Sequence, residues 1–270
     1  MTGVQTCALP ISLARYERLG VKILPVPQAE VLSRFEQIQD AAAAPFFHYF
    51  FDSAAALAEP DTADVKAAAR MAAALLATIK AHHAQGAAVA CFNMLRSGTT
   101  SCLGVSYIND CTPYVAACEG DIDSAVTMLA MKKLSPSKLW MANPALHPDG
   151  LIHFSHCTAP LAMDGCKKCP YILRSHHESG IGVSLQVDYP DERRVTLCRI
   201  SDEAGSVTIQ GGATVSGERL CACHTQAWVR PDDFDRFLAT ALGCHQVLAF
   251  ADISAELHSL AGHLGLCVLT

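Results

Sequence analysis

The sequence predicts an α/β chain in two unlike parts: a segment with a parallel sheet, then a mainly β segment forming an antiparallel barrel or sandwich with flanking helices. Up to about Pro144, apolar runs of strand length alternate with Ala-rich stretches at helical spacing, a pattern that sets strands parallel under covering helices. Beyond Pro144, short strand-like runs follow one another between turn formers such as Gly205, Gly211-Gly212 and Pro231. Apolar residues make up 51% of the 270, enough for one large core or two modest ones. The expected division is residues 13–144 and residues 145–270.

Residues 1–12 stand apart. They lack a charged start and carry too short an apolar run for a signal peptide. They look like the translation of a sequencing-library adapter joined to an open reading frame, so the natural chain is expected to begin upstream of Leu13. Residues 19–26 read as a short strand. Residues 28–44 read as a helix with Val31, Leu32, Phe35 and Ile38 on one face. The aromatic run Phe46-Phe47-His48-Tyr49-Phe50-Phe51 reads as core or a buried subunit contact. Residues 61–85 form a long Ala-rich helix, with Asp61 or Thr62 as N-cap and Gly86 as its stop. A buried strand over 87–94 and the polar loop Ser97-Gly98-Thr99-Thr100 come next. Asn109-Asp110-Cys111-Thr112-Pro113 reads as a turn-rich run, residues 122–134 as a helix, and residues 138–141 as a further parallel strand. Strands are then expected over 151–154, 182–189, 194–200, 206–210 and 220–229. A helix over 232–242, a strand over 245–250, a helix over 254–264 and a terminal strand over 266–269 complete the chain.

The formal charge of −6 argues against nucleic acid and anionic membrane as partners. No stretch approaches the roughly 18 consecutive apolar residues of a membrane span, because Lys66, Arg70, Lys80, His82 and His83 punctuate the richest one. Thirteen scattered cysteines with no secretory signal suggest reduced thiols in a cytoplasmic protein.

Chemistry is concentrated at Cys118-Glu119-Gly120-Asp121, just ahead of the helix over 122–134. Two carboxylates in a first helical turn either complement the helix dipole or, aimed into a cleft, serve as metal ligand or proton-transfer base. Taken alone, the position favours the helix-dipole reading, and the motifs that follow reverse that order.

Several separated stretches resemble the L-fucose and L-arabinose isomerases. Ala117-Cys118-Glu119-Gly120-Asp121 is similar to their acidic helix start. Leu139-Trp140-Met141-Ala142-Asn143-Pro144 falls where they have a strand ending in a metal-binding carboxylate, with Asn143 24 residues after Glu119. Ile152-His153-Phe154-Ser155-His156-Cys157-Thr158 resembles the segment with a ligand histidine, and His176-His177-Glu178-Ser179-Gly180-Ile181-Gly182-Val183 a loop common to the group. Gly243-Cys244-His245-Gln246-Val247-Leu248-Ala249-Phe250 resembles the C-terminal ligand-histidine strand.

The resemblance implies a Rossmann-like domain followed by a C-terminal β-barrel domain. It implies a divalent cation, manganese by ligand type, held by Glu119, Asn143, His156 and His245. Glu119 and Asp121 are then the catalytic carboxylates, and His177, Ser179 and Gly180 contact the sugar. The implied reaction is aldose–ketose isomerisation through an enediol, in a homo-oligomer whose sites lie between subunits. Family members carry a further N-terminal α/β domain, absent here, so the chain as written is expected to be an inactive fragment.

Asn143 departs from the pattern, since an amide offers an oxygen but takes no proton. That substitution points either to another group, Asp121 or Glu178, or to a sugar-binding homologue without catalysis. A third reading uses Cys166, Cys169, Cys221 and Cys223 as zinc ligands, Cys-x-x-Cys being a fair knuckle and Cys-x-Cys a poor second half.

Overall fold

The computed structural model describes residues 13–165, 167–201 and 205–270. In chain order its elements are α1 (Gln28–Gln37), α2 (Asp40–Phe51), β1 (Ala56–Leu57), α3 (Thr62–Ala81), β2 (Gly86–Ala88), α4 (Cys91–Met94), α5 (Cys102–Cys111), β3 (Val115–Ala117) and α6 (Ile122–Lys132). There follow β4 (Leu139–Leu146), β5 (Ile152–His156), β6 (Tyr171–Arg174), β7 (Ser184–Val187), β8 (Arg194–Ser201), β9 (Ser206–Val215), β10 (Thr225–Pro231), α7 (Phe234–Thr240), β11 (Gln246–Ala249), α8 (Ser254–Leu264) and β12 (Cys267–Val268).

Six strands close an antiparallel barrel in the order β10-β5-β4-β11-β8-β9, with β9 returning to β10. The ten-residue β9 makes this closure possible by pairing twice. Its first residues take β12 alongside in parallel, and its last, Gly212–Val215, pair with β10. A side chain at Gly212 would press on the Arg230 carbonyl, 2.8 Å from where its Cβ would stand. The smaller sheets are β1-β6-β7 and the parallel pair β2-β3. The Thr225 hydroxyl ties β7 to the barrel, accepting from Val187 N at 3.0 Å and donating to Leu185 O at 2.8 Å.

Two cores share the barrel wall. Trp140, Phe154, Leu197, Val229 and Leu248 belong to one cluster, and Leu139, Met141, Cys198, Ile200, Val247 and Ala249 to the other, which α3, α5, α6 and α8 cover. Successive residues of β4, β8 and β11 thus enter opposite cores, as a pleated strand requires. This explains one departure from expectation. Residues 138–141 read as a parallel strand because a strand buried on both faces gives an unbroken apolar run. The structure pairs β4 antiparallel with β5 and β11 instead.

In the N-terminal half, Asp61 caps α3 reciprocally with Asp64, each side chain 2.9 Å from the other's backbone N–H. The expected strand over 19–26 is absent: a 3-10 helix, Leu13–Leu19, leads into chain without regular secondary structure. The helix expected over 28–44 is broken at Ile38, whose extended backbone lets a new helix start at Asp40 and fold over α3. The strand expected over 87–94 stops at Ala88, where the chain turns into α4. Elements β1, α4, α5, β3 and β6 were not expected.

Candidate metal centre

The chain leaves β3 in an unusual conformation. Glu119 (φ +57°) and Gly120 (φ +67°) are both left-handed, and Gly120 N–H is held by the Val89 carbonyl at 2.9 Å. For a residue with a Cβ this costs about 1–2 kcal/mol, and such strain collects at functional sites. The reversed turn brings the Glu119 carboxylate to the barrel rim, where β5 ends and β11 begins.

Three side chains converge there. Glu119 Oε1 lies 3.3 Å from His156 Nε2, and Glu119 Oε2 lies 3.4 Å from His245 Nε2. The donor atoms all lie within 4.8 Å of one another, and the two rings pack edge-to-face with centroids 5.6 Å apart. Both histidines are buried, at 3% and 1% exposure. Neither Nε2 has a hydrogen-bond partner among the described residues, despite its distance to the carboxylate. Two buried nitrogens without hydrogen bonds, facing one carboxylate, fit a cation better than they fit each other. An N,N,O set of this kind suits manganese, iron or zinc.

The far side of each ring is built differently. His245 Nδ1 is 2.8 Å from Asp121 Oδ2. Asp121 also accepts from Arg199 at 2.8 and 3.2 Å and from the Ser124 N–H and hydroxyl at 2.9 Å each. His156 Nδ1 has only Thr158, with the hydroxyl at 2.8 Å and the N–H at 3.3 Å.

Protonation follows from these surroundings. Burial would raise the Glu119 carboxyl, but the two imidazoles outweigh it and hold it far below the usual carboxylate range. Asp121 is likewise held low against its burial, by the His245 bond and the Arg199 charge. Burial lowers His245, yet its bond to Asp121, then Cys244 and Glu119, push it up to about 11. His156 is lowered, chiefly by burial.

The remaining expected residues fall around this cup. Asp121, expected as a catalytic carboxylate, stands behind His245 with both oxygens engaged. Asn143 is opposite Ser155 on β5, and the pleat therefore turns it to the face away from His156. Its amide reaches the Cys244 carbonyl at 3.5 Å. Ser179 hydrogen-bonds His176 Nδ1 at 2.9 Å, Gly180 turns the loop at φ +70°, and His177 packs against His224 with centroids 5.5 Å apart. The loop lies within electrostatic reach of the cup. The Glu178 carboxyl is raised, first by burial and then by the Glu119 charge, and His176 is lowered, first by burial and then by His156.

Of the cysteine reading, Cys166 lies outside the described residues. Among the described residues, Cys169, Cys221 and Cys223 join no group able to hold a metal, and the described cysteines are free thiols. Sequence reasoning missed Arg199, Ser124 and Thr158. The signal for Arg199 was there: it is the lone charge in the apolar run of β8, Val195 to Ile200. No described helix is long and apolar enough to cross a membrane. Compared with known proteins, the chain matches no family model and no curated protein.

Proposed function

We propose that this chain is a metal-dependent aldose–ketose isomerase of the kind its motifs resemble, with a sugar as substrate and a homo-oligomer as its working form. On this reading, β2, β3 and their covering helices are the Rossmann-like part. The observation that carries the proposal is the convergence of Glu119, His156 and His245, whose two buried Nε2 atoms face the one carboxylate at 3.3 and 3.4 Å and make no hydrogen bond among the described residues. These three residues would hold a divalent ion. When bound, that ion would supply Lewis-acid polarisation of neighbouring sugar oxygens and stabilise negative charge developing on them.

The chain itself must bind the sugar, exclude water and move one proton between adjacent carbons. Glu119, kept ionised by its two imidazoles, can accept that proton. Asp121 cannot share the task while Arg199, Ser124 and His245 occupy its oxygens. Asn143, an amide, has no proton to exchange. Glu178 is left as the second carboxyl near the cup, and its raised pKa suits reversible protonation.

Manganese-loaded full-length protein incubated with a panel of aldoses in D2O is expected to yield ketose and to introduce deuterium at the exchanging carbon. Glu119→Gln should lower the rate by about 10²-fold or more. Failure of the wild type to retain manganese and to exchange any sugar proton overturns the proposal. A second reading, a sugar-binding homologue without turnover, is favoured by Asn143. Saturable sugar binding with no proton exchange in the loaded protein selects it.

A further inference from the structure

We propose that Asp121 and Arg199 form a positioning pair that fixes His245 as the rigid nitrogen donor of the centre. We propose also that Asp121, Cys244 and His245, although close enough together to hold an ion, are a brace and not a second cation site. The inference rests on the metal-binding reading of Glu119, His156 and His245.

Two groups among the described residues have the spacing to hold a metal, and they share His245. The second differs from the first in what stands beside it. Arg199 is 7% exposed by its side chain, and its guanidinium reaches both Asp121 oxygens while lying 3.6 Å from Asp123. A cation between Asp121, Cys244 and His245 would face that buried positive charge with the carboxylate already neutralised. Among the described residues, no guanidinium or ammonium pairs with the Glu119 carboxylate of the first group.

The hydrogen-bond chemistry then fixes the ring. An ionised carboxylate only accepts, so His245 Nδ1 must carry the proton that bridges to Asp121 Oδ2. When a cation displaces the other ring proton, Nε2 is the nitrogen left to offer its lone pair beside Glu119. Arg199 is itself immobilised. Its Nη1 also donates to the Ser124 hydroxyl at 2.8 Å and to the His245 carbonyl at 3.2 Å. Gly243 leaves room for it, because a Cβ at that position would overlap the guanidinium. Strand β8, the start of α6 and the chain entering β11 are thus clamped in one network. The imidazole is held by residues 78 and 124 positions apart in the pairs Arg199–Asp121 and His245–Asp121.

Two measurements test this on the full chain. In metal-free protein, histidine 15N–1H NMR should show a slowly exchanging, downfield Nδ1 proton on His245, lost in Asp121→Asn. In calorimetric titration with Mn2+ alone, Asp121→Asn should bind about 10- to 100-fold more weakly than wild type. Arg199→Lys and Gly243→Ala, which leave every proposed ligand and Asp121 in place, should weaken binding by less while retaining the Nδ1 proton. They carry both measurements should Asp121→Asn not fold. A folded Asp121→Asn protein that keeps the proton signal and binds Mn2+ within twofold of wild type overturns the positioning role. A wild type that binds no Mn2+ removes the metal reading instead, and the NMR arm alone then decides whether Asp121 orients the ring.

Discussion

At His245 the outer ring nitrogen meets a carboxylate gripped by a buried guanidinium, whereas at His156 it meets only the hydroxyl and amide of Thr158. Both rings present Nε2 to the same carboxylate at nearly the same distance. Their chemistry diverges behind the site. A carboxylate dictates one tautomer and favours the charged ring, so His245 is pushed up to about 11 against its burial. At His156 the Thr158 N–H donates to Nδ1, so the neutral ring carries its proton on Nε2, and burial dominates and lowers its pKa. One side of the cup is clamped by a carboxylate and proton-retaining; the other is held by Thr158 and neutral.

The sharpest way to break the comparison is to remove the brace. Arg199→Met leaves the Asp121 carboxylate buried without its guanidinium, and the fold should lose roughly 3–5 kcal/mol. Urea unfolding of the metal-free protein measures this, and a loss below about 1 kcal/mol would mean that the pair contributes no more than a surface ion pair.

The pH dependence comes next. Because metal-free His245 stays protonated up to about 11, a metal taking its Nε2 must displace one proton at neutral pH. Mn2+ affinity should therefore rise about tenfold, or ~1.4 kcal/mol, per pH unit from 7 to 9. Matched titrations in buffers of different ionisation enthalpy should count one proton released. Without metal the sign is opposite. A folded-state pKa raised above its ordinary 6.5 contributes stability that is fully present below that value and is lost as pH rises through about 11.

The smallest effect belongs to the His156 side. Thr158→Val removes the hydroxyl, the group able to accept from Nδ1–H once a metal takes Nε2, and leaves only the amide N–H facing that nitrogen. Mn2+ should then bind about three- to tenfold more weakly, less than the loss expected for Asp121→Asn. Equal losses at the two positions would abolish the distinction between the two sides.

Much of the architecture was legible in local pattern. An Ala-rich run behind the N-cap candidate Asp61 announced α3, and apolar spacing announced α6. What misled was residues with two uses. Asn109 and Asp110 read as turn formers, yet they lie in the last turn of α5 and serve as long-range connectors. Asn109 exchanges two 2.8 Å hydrogen bonds with the Ala116 backbone. Asp110 accepts from the Leu161 N–H at 2.6 Å and the Ala162 N–H at 3.2 Å. Lys132 closes the same corner by donating to the carbonyls of Thr112 and Tyr114 at 3.1 and 3.2 Å. In the site, Glu119, His156 and His245 could be named from their contexts, but nothing local separated Glu119 from Asp121, two residues away on the same turn.

By itself the sequence determined the helices that periodicity and capping specify, the run of β segments after Pro144, and which acids and imidazoles lie at element ends. Those features depend on neighbours a few residues apart, so they are written in the chain. Only the tertiary structure decided that β4 joins a barrel, that Glu119 faces two imidazoles while Asp121 faces a guanidinium, and which nitrogen each ring turns inward. The orientation of a lone pair depends on atoms brought together across 78 and 124 residues, and no local pattern carries that information.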